Sequence, residues 1–99
     1  MADQMAEKDL SGSLDALMVD EKDNVAVCLH NLDEGTEAAV RLGKENFPVT
    51  TAGAIPRGHK IAINDIAQGE KIIKYGEIIG QATEDIAKGN HVHVHNVTD

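Results

Sequence analysis

Three of the chain's five histidines alternate with valines near the C-terminus, over residues His91–His95. Residues two apart on a β-strand point to the same side, so this spacing predicts three imidazoles on one face and Val92 and Val94 in the core. At about 3.3 Å of rise per residue, neighbouring histidines lie roughly 7 Å apart and the outer two roughly 13 Å apart. Metal–nitrogen bonds are only about 2.0–2.1 Å long. Two neighbouring imidazoles can therefore share an ion, and a third ligand must come from His59, a carboxylate or another chain. A strand face that carries histidine only as a polar residue is the alternative.

A second candidate group lies in Ile55–Lys60, where a proline and a glycine predict a turn just before a strand. The turn presents His59 and Lys60 at the strand start, and with Arg57 they form a positive cluster in an acidic protein. Such a cluster suits a carboxylate-bearing ligand or an acidic partner, and a solvated surface turn is the alternative. Lys74–Glu77 has a similar pattern, for which we expect a strand bulge with a packed tyrosine. His30, isolated beside a turn, is expected to be structural.

The composition limits the kinds of function the chain can have. It has 99 residues, a net charge of -8, one Phe, one Tyr and no Trp. One small domain is therefore expected, and the negative charge and missing stacking platforms exclude nucleic acid and anionic membranes as partners. Apolar runs are too short for a membrane span, and no export signal is recognised. Because a lone Cys28 cannot form a disulfide within the chain, a reducing cytoplasm is expected. Such a small domain can hardly enclose a catalytic pocket, so an active site shared with another chain is expected.

The elements that position these residues are predicted to be short strands. Hydrophobicity alternates with a period of two, and glycine recurs at each break. The alternating stretches and buried pairs are Val25–His30, Lys60–Asn64, His91–His95, Ile72–Ile73 and Ile78–Ile79. The pattern predicts a compact all-β fold, with helix only over Thr36–Lys44.

A five-residue pattern recurs along the chain. Asp65–Gly69 reads Asp-Ile-Ala-Gln-Gly and returns as Asp85–Gly89, with a weaker copy at Asn31–Gly35. The opening Asp or Asn is expected to bond the turn that follows it, and the glycine to adopt a positive φ. The repeat predicts pseudo-symmetric corners with no catalytic aspartate. Residues 1–18 lack this pattern, so a flexible arm (alternatively a partner-docking segment) is expected there, followed by a folded domain over 19–99.

Several of these motifs together resemble the SAF domain of the altronate dehydratase family. The resemblance covers Val19–Val97, and its specific ends are the Pro-x-Gly-His-Lys and His-Val-His-Val-His-Asn motifs. The repeated Asp-Ile-x-x-Gly turns, Lys-Tyr-Gly and Ile-Gly-x-Ala lie between these ends. The resemblance implies a β-clip fold.

The resemblance also implies a function. Members of the family dehydrate sugar acids such as altronate and galactarate, relatives eliminate sulfite from (2R)-sulfolactate, and a divalent metal such as iron or manganese is required. The SAF domain is either the N-terminal part of a long enzyme or a separate small subunit. We expect this chain to be the small subunit of a hydro-lyase, inactive alone and paired with a large catalytic subunit. A sulfo-lyase alpha subunit, a non-catalytic binding or assembly module and a stand-alone metal-binding domain are the alternatives.

The family motifs contain the candidate residues, which we therefore assign to a site. The resemblance implies only that His59, His91, His93 and His95 occupy motif positions of the family. We assign His91, His93 and His95 to catalysis, and His59, His91 and His93 to a metal site. Arg57, His59 and Lys60 are assigned to substrate binding. Removing water β to a carboxylate needs a base for the α-proton and an acid or Lewis acid for the leaving hydroxyl, and imidazoles or a metal they hold suit the second task.

Overall fold

In the computed structural model, residues 14–98 are described, and they form nine strands without a helix. The strands are β1 Ala16–Met18, β2 Val25–Cys28, β3 Glu37–Leu42, β4 Glu45–Thr50, β5 Lys60–Ala62, β6 Lys71–Lys74, β7 Glu77–Ala82, β8 His91–Val92 and β9 Val97–Thr98. The all-β prediction is confirmed. Over the described range, no helical segment has the length and apolar character needed to traverse a lipid bilayer.

The helix predicted over Thr36–Lys44 is wrong, because this stretch is strand β3 and the turn that leads into β4. Ala38 and Val40 are both fully buried, two residues apart. That spacing is the period of a strand with one buried face, and a helix would have turned the two side chains to different sides.

The strands form a six-stranded sheet in the order β4-β3-β1-β2-β5-β8 and a three-stranded sheet in the order β6-β7-β9. Strand β1 lies inside the larger sheet, parallel to β3 and antiparallel to β2. The boundary predicted after residue 18 is therefore wrong, since Ala16 and Met18 are buried in the core. The rest of the predicted arm, residues 1–13, lies outside the described residues.

Two hydrophobic clusters form the core, and β2 contributes to both of them. Ala26 and Cys28 belong to the cluster of the larger sheet, whereas Val25 joins the cluster beneath the smaller one. Val25, Ala26 and Cys28 are all fully buried, whereas Leu29, the residue that follows β2, is 41% exposed. Burial of β2 from both sides explains why its pattern is apolar at every position.

The repeated turns pair with one another as pseudo-symmetric corners. Ile66 bridges Ile86, and Leu32 bridges Ile55. The second pair reveals a fourth copy, Ala54–Gly58, which the sequence pattern missed because alanine replaces the opening Asp or Asn. The last residue of each copy is a glycine with φ between 81° and 91°.

In the three corners that open with Asp or Asn, the opening side chain accepts a hydrogen bond from the partner turn and not from its own turn, contrary to our expectation. Asp65 Oδ1 accepts from the Lys88 N–H at 2.9 Å, and Asp85 Oδ1 accepts from the Gln68 N–H at 2.9 Å. Asn31 Oδ1 likewise accepts from the Arg57 N–H at 2.8 Å. These bonds join turns that are far apart in the chain, which makes the repeat a structural device.

The carboxylate of Asp23 fastens the turn after β1 to the hairpin between β6 and β7. It is buried and accepts the backbone N–H groups of Val19 at 3.0 Å, Asp20 at 3.1 Å and Gly76 at 2.7 Å. Burial acts to raise the pKa of Asp23, but these N–H groups stabilise the charged form and bring the pKa below its usual 3.8.

Replacing Asp23 with asparagine is expected to destabilise the fold by about 2–3 kcal/mol, because an amide group cannot accept all of these bonds. A carboxyl group whose pKa is lower in the folded state than in the unfolded state, where it is about 3.9, stabilises the fold at pH values above 3.9. This stabilisation is lost as the pH falls through the folded-state pKa. The variant should therefore lose less stability than the parent below about pH 4. Urea unfolding at several pH values measures both effects, with the exposed Glu21→Gln as control. An unchanged pH profile would contradict the assignment.

Candidate functional site

The pairing of β5 with β8 brings the two histidine motifs together. The strands are antiparallel, with Lys60 opposite Val92 and Ile61 opposite His91. Continuing this register by one residue sets His59 opposite His93, just beyond the strand ends. Residues directly opposite on antiparallel strands have neighbouring side chains. A non-local strand pairing therefore supplies the contribution of His59 that the spacing of the C-terminal histidines called for.

The imidazole rings of this histidine cluster (His59, His91, His93 and His95) are packed against one another. The rings of His59 and His93 are stacked, with centroids 3.7 Å apart and planes 10° apart. His59 Nδ1 and His91 Nε2 lie 2.8 Å apart and share a hydrogen bond. One nitrogen from each of His59, His91 and His93 lies within 4.8 Å of the other two. The described chain thus offers three imidazole donors in a space that one ion could occupy.

The straight three-histidine strand that we predicted is not present. Strand β8 ends at Val92, and the chain then turns through His93 and Val94. Val92 is fully buried as expected, but Val94 is 81% exposed. The turn folds His95 back, so that its ring centroid lies 4.9 Å from that of His91.

Asn96 holds this turn; it closes the His-Val-His-Val-His-Asn motif but was not among the site residues predicted from the sequence. Its side chain is buried, accepts from the His93 N–H at 2.9 Å and donates to the His91 carbonyl at 2.9 Å. Its own N–H donates to the His93 carbonyl at 3.1 Å. Asparagine commonly bonds nearby backbone in turns, so its place directly after the histidines was the available signal.

Replacing Asn96 with aspartate is expected to disturb the turn, because a carboxylate oxygen would face the His91 carbonyl oxygen. We expect a loss of about 1–3 kcal/mol in the free energy of unfolding. Weaker NOEs between the ring protons of His59 and His93 should accompany this loss. Asn46→Asp places the same charge on exposed strand β4 and serves as the control. If both variants keep the stacked rings, Asn96 does not position the cluster.

The surroundings of His91 and His93 favour the neutral form of these two imidazoles. Burial, followed by the nearby His95, His59, His93 and Lys60, lowers the pKa of His91. Burial, followed by His59, Lys60 and His95, also lowers the pKa of His93. Nδ1 of His93 is buried without a hydrogen-bond partner in the described chain. A neutral imidazole with a free nitrogen is the form that binds a metal.

The three residues predicted to bind a carboxylate, Arg57, His59 and Lys60, do not all lie at the histidine cluster. Lys60 is half-buried, and its charge is close enough to the imidazoles to affect His91 and His93. Arg57 is exposed on the preceding turn, where its backbone N–H bonds Asn31, and no contact in the described residues brings it to the histidine cluster.

A small cleft of about 180 Å³ lies beside His91. His91, His95 and Asn96 line it together with the exposed carboxylates of Glu84 and Asp85. Its volume is below the roughly 300–1,000 Å³ typical of small-molecule pockets. His59, His91 and His93 are themselves half-buried.

Two other side chains that could take part in chemistry, Cys28 and His30, lie outside the cluster. Cys28 is buried, and burial together with the charge of Asp15 raises the pKa of its thiol to about 11, so it is not an activated nucleophile. His30 Nε2 lies 2.8 Å from Asp15 Oδ1, and Asp15 Oδ2 accepts the Ala39 N–H at 2.8 Å. These contacts agree with the structural role expected of His30.

Comparison with known proteins identifies relatives among lyases. A family model described as the altronate/galactarate dehydratase SAF domain matches residues 14–99. The altronate dehydratase of Escherichia coli (strain K12) is 54% identical over 74 residues, which cover 75% of this chain and 14% of that enzyme. The altronate dehydratase of Bacillus subtilis (strain 168) is 38% identical over 80 residues, covering 81% of this chain and 15% of that enzyme.

A relative of different size also matches. The (2R)-sulfolactate sulfo-lyase subunit alpha of Chromohalobacter salexigens is 40% identical over 91 residues, which cover 86% of this chain and 94% of that subunit. The chain thus spans a small part of each dehydratase and nearly the whole of the sulfo-lyase subunit.

Proposed function

The chain belongs to the family of altronate/galactarate dehydratase SAF domains, and from this we propose that it acts as the small subunit of a sugar-acid hydro-lyase. In this proposal it contributes the histidine cluster to an active site shared with a large catalytic subunit in the cytoplasm. The observation that carries the proposal is the meeting of His59 with His91 and His93, since two motifs distant in the chain converge on one half-buried cluster.

We propose His59, His91 and His93 as the residues that would hold a divalent metal such as iron or manganese. The three imidazole donors support this fit, as does the unpaired, buried Nδ1 of His93. Imidazole is a suitable ligand for iron and for several other first-row metals. Such an ion would supply Lewis acidity toward the hydroxyl group that leaves.

The remaining groups are assigned to binding and proton transfer. Lys60 would bind the substrate carboxylate, with Arg57 as a second, more distant cation. A base on the large subunit would take the α-proton, and the electron pair of that C–H bond would form the new C=C bond as the β-hydroxyl leaves. His95, exposed beside His91, would donate the proton that converts the hydroxyl to water.

A second candidate is the alpha subunit of a (2R)-sulfolactate sulfo-lyase. The alignment over 94% of such a subunit favours it. The chemistry is again β-elimination next to a carboxylate, with sulfite in place of hydroxide as the leaving group. The large subunit would then determine which leaving group is accepted.

The test is to purify the tagged chain from its native lysate and assay the captured complex for altronate dehydration and for sulfite release from sulfolactate. Metal content is measured on the same sample. A captured large subunit with dehydratase turnover would support the hydro-lyase, and sulfite release would replace it with the second candidate. Recovery of the chain alone, without metal or activity, would overturn both and leave a non-catalytic module.

A further inference from the structure

His59 takes part in both close contacts among the three proposed metal ligands. Its Nδ1 atom shares a hydrogen bond with Nε2 of His91 at 2.8 Å, and its ring is stacked on that of His93, with centroids 3.7 Å apart. The rings of His91 and His93 lie farther from each other, with centroids 5.8 Å apart. His59 is therefore the common member of the two contacts.

The hydrogen bond between His59 and His91 is incompatible with a metal ion shared by these two rings. One of the two nitrogens carries the proton, and the other directs its lone pair at that proton, whereas a metal ligand needs its lone pair free. Two nitrogens bound to one tetrahedral ion at about 2.0–2.1 Å lie roughly 3.4 Å apart, farther than the 2.8 Å found here. The second nitrogen of each imidazole points away from the shared proton. An ion can therefore not be added to this pair as it stands.

The stacking of His59 on His93 excludes a shared ion in a second way. The lone pair of an imidazole nitrogen lies in the ring plane, so a bound ion lies in that plane, about 2.0–2.1 Å from the nitrogen. The two ring planes differ by only 10°, and stacked rings are separated by about 3.5 Å, the contact distance of carbon atoms. An ion in the plane of one ring is then too far from the other ring to bind it, whichever nitrogens are used.

Among the three rings, His59 is the one whose movement removes both obstacles. The turn that carries His93 is held by Asn96, and Nδ1 of His93 is buried. His91 belongs to strand β8, whereas His59 lies just before β5 and follows Gly58, whose φ is 84°. Turning the His59 ring breaks the hydrogen bond and the stack together, whereas turning either of the other rings leaves one of them in place.

We infer that His59 closes this site, and that a metal ion binds to His59, His91 and His93 only after the His59 ring has turned out of its stack and its hydrogen bond. The proton of that hydrogen bond is then carried by the other nitrogen of the same ring. This inference deepens the proposed function and rests on its assignment of the three histidines to a metal. The affinity of the chain for a metal is then that of the open form multiplied by the fraction of molecules that are open.

The test follows the full chain, with ¹⁵N in its histidine rings, by NMR as Zn²⁺ is added. Zn²⁺ is the probe because it is diamagnetic and binds imidazole nitrogen. Before the addition we expect a scalar coupling across the hydrogen bond from His59 to His91, and NOEs between the ring protons of His59 and His93. Both signals should disappear in proportion to bound Zn²⁺, while the ¹⁵N shifts show one ligated nitrogen in each of the three rings. His30→Gln, outside the cluster, is the control and should leave these changes as they are.

His59→Ala separates closing of the site from simple ligation. A minor open form typically makes up no more than about a tenth of the molecules, so removal of the closing ring should speed Zn²⁺ association about tenfold or more. The complex should dissociate faster still, because one ligand is lost, and the affinity should fall. If His59 only ligated the ion, dissociation would change and association would not.

Zn²⁺ binding that leaves the coupling and the NOEs intact would overturn the inference, as would a parent chain that binds no Zn²⁺. Failure of the inference is distinguishable from failure of the proposed function. If the captured complex holds metal and turns over while Zn²⁺ leaves the stacked rings unchanged, His59 does not close the site and the function stands. If Zn²⁺ opens the stack but the complex is inactive on both substrates, the closing role of His59 stands and the lyase function is wrong.

Discussion

Replacing His93 with phenylalanine is expected to leave the fold at least as stable as before and to weaken metal binding strongly. The phenyl ring can keep the stacking on His59, where the two ring centroids now lie 3.7 Å apart. No hydrogen bond of the His93 ring nitrogen Nδ1 is lost, because that buried atom has no partner in the described residues. A buried unpaired polar atom costs about 1–3 kcal/mol, so the substitution can even raise the free energy of unfolding.

The functional cost of the same change should be large. The proposed metal would lose one of three protein ligands. Even the mutation of a residue that only hydrogen-bonds a metal ligand typically costs about 10–100-fold in metal affinity or activity. We therefore expect a loss of roughly 100-fold or more in both metal affinity and turnover of the assembled enzyme. Calorimetric metal titration of the chain, assay of the captured complex and urea unfolding measure the three quantities.

The matched control for His93 is His30→Gln, which changes an exposed histidine outside the cluster. It should lower stability by less than about 1 kcal/mol and leave metal affinity unchanged. Metal binding at parental affinity by His93→Phe would remove His93 from the proposed ligands. A clear loss of stability in that variant would show instead that the histidine ring is needed for packing.

Gly89→Ala is expected to have the largest effect on stability of any single change considered for this chain. Gly89 has φ of 91°, a conformation that costs an L-residue about 1–2 kcal/mol. A Cβ atom there would overlap the carbonyl oxygen of Thr50, which is backbone and cannot rotate away. The Ala52 N–H donates to the Gly89 carbonyl at 2.9 Å, so the two segments are also tied together. We expect a loss of more than about 4 kcal/mol, or failure to fold.

The pseudo-symmetry of the fold supplies the control for this prediction. Gly69 occupies the same place in the partner turn with φ of 87°, but a Cβ there meets nothing within 4 Å. Gly69→Ala should therefore lower the free energy of unfolding only by the cost of placing an L-residue at positive φ, about 1–2 kcal/mol. Urea unfolding of the two variants compares them directly. Equal losses would mean that the close approach to Thr50 contributes nothing.

Local patterns in the sequence were enough for the class of fold and for the identity of the candidate site. The period of two and the recurring glycines predicted an all-β chain, and the repeated Asp-Ile-x-x-Gly segments predicted pseudo-symmetric corners. The spacing of the C-terminal histidines required another ligand and brought in His59. Each of these inferences depends on geometry within a few residues, namely the strand repeat, turn conformations and bond lengths.

Other features depended on contacts between distant segments, and no local pattern contained them. The sequence assigned Val94 to the core, whereas the turn held by Asn96 exposes it. It assigned residues up to 18 to an arm, whereas β1 lies between β2 and β3. It expected a packed Tyr75, whereas this residue is 40% exposed. The pairing of the corners and the meeting of His59 with His93 likewise depend on which strands pair and in which register. Register is selected by the burial of whole faces and by non-local hydrogen bonds, so only the tertiary structure decides which side chains meet.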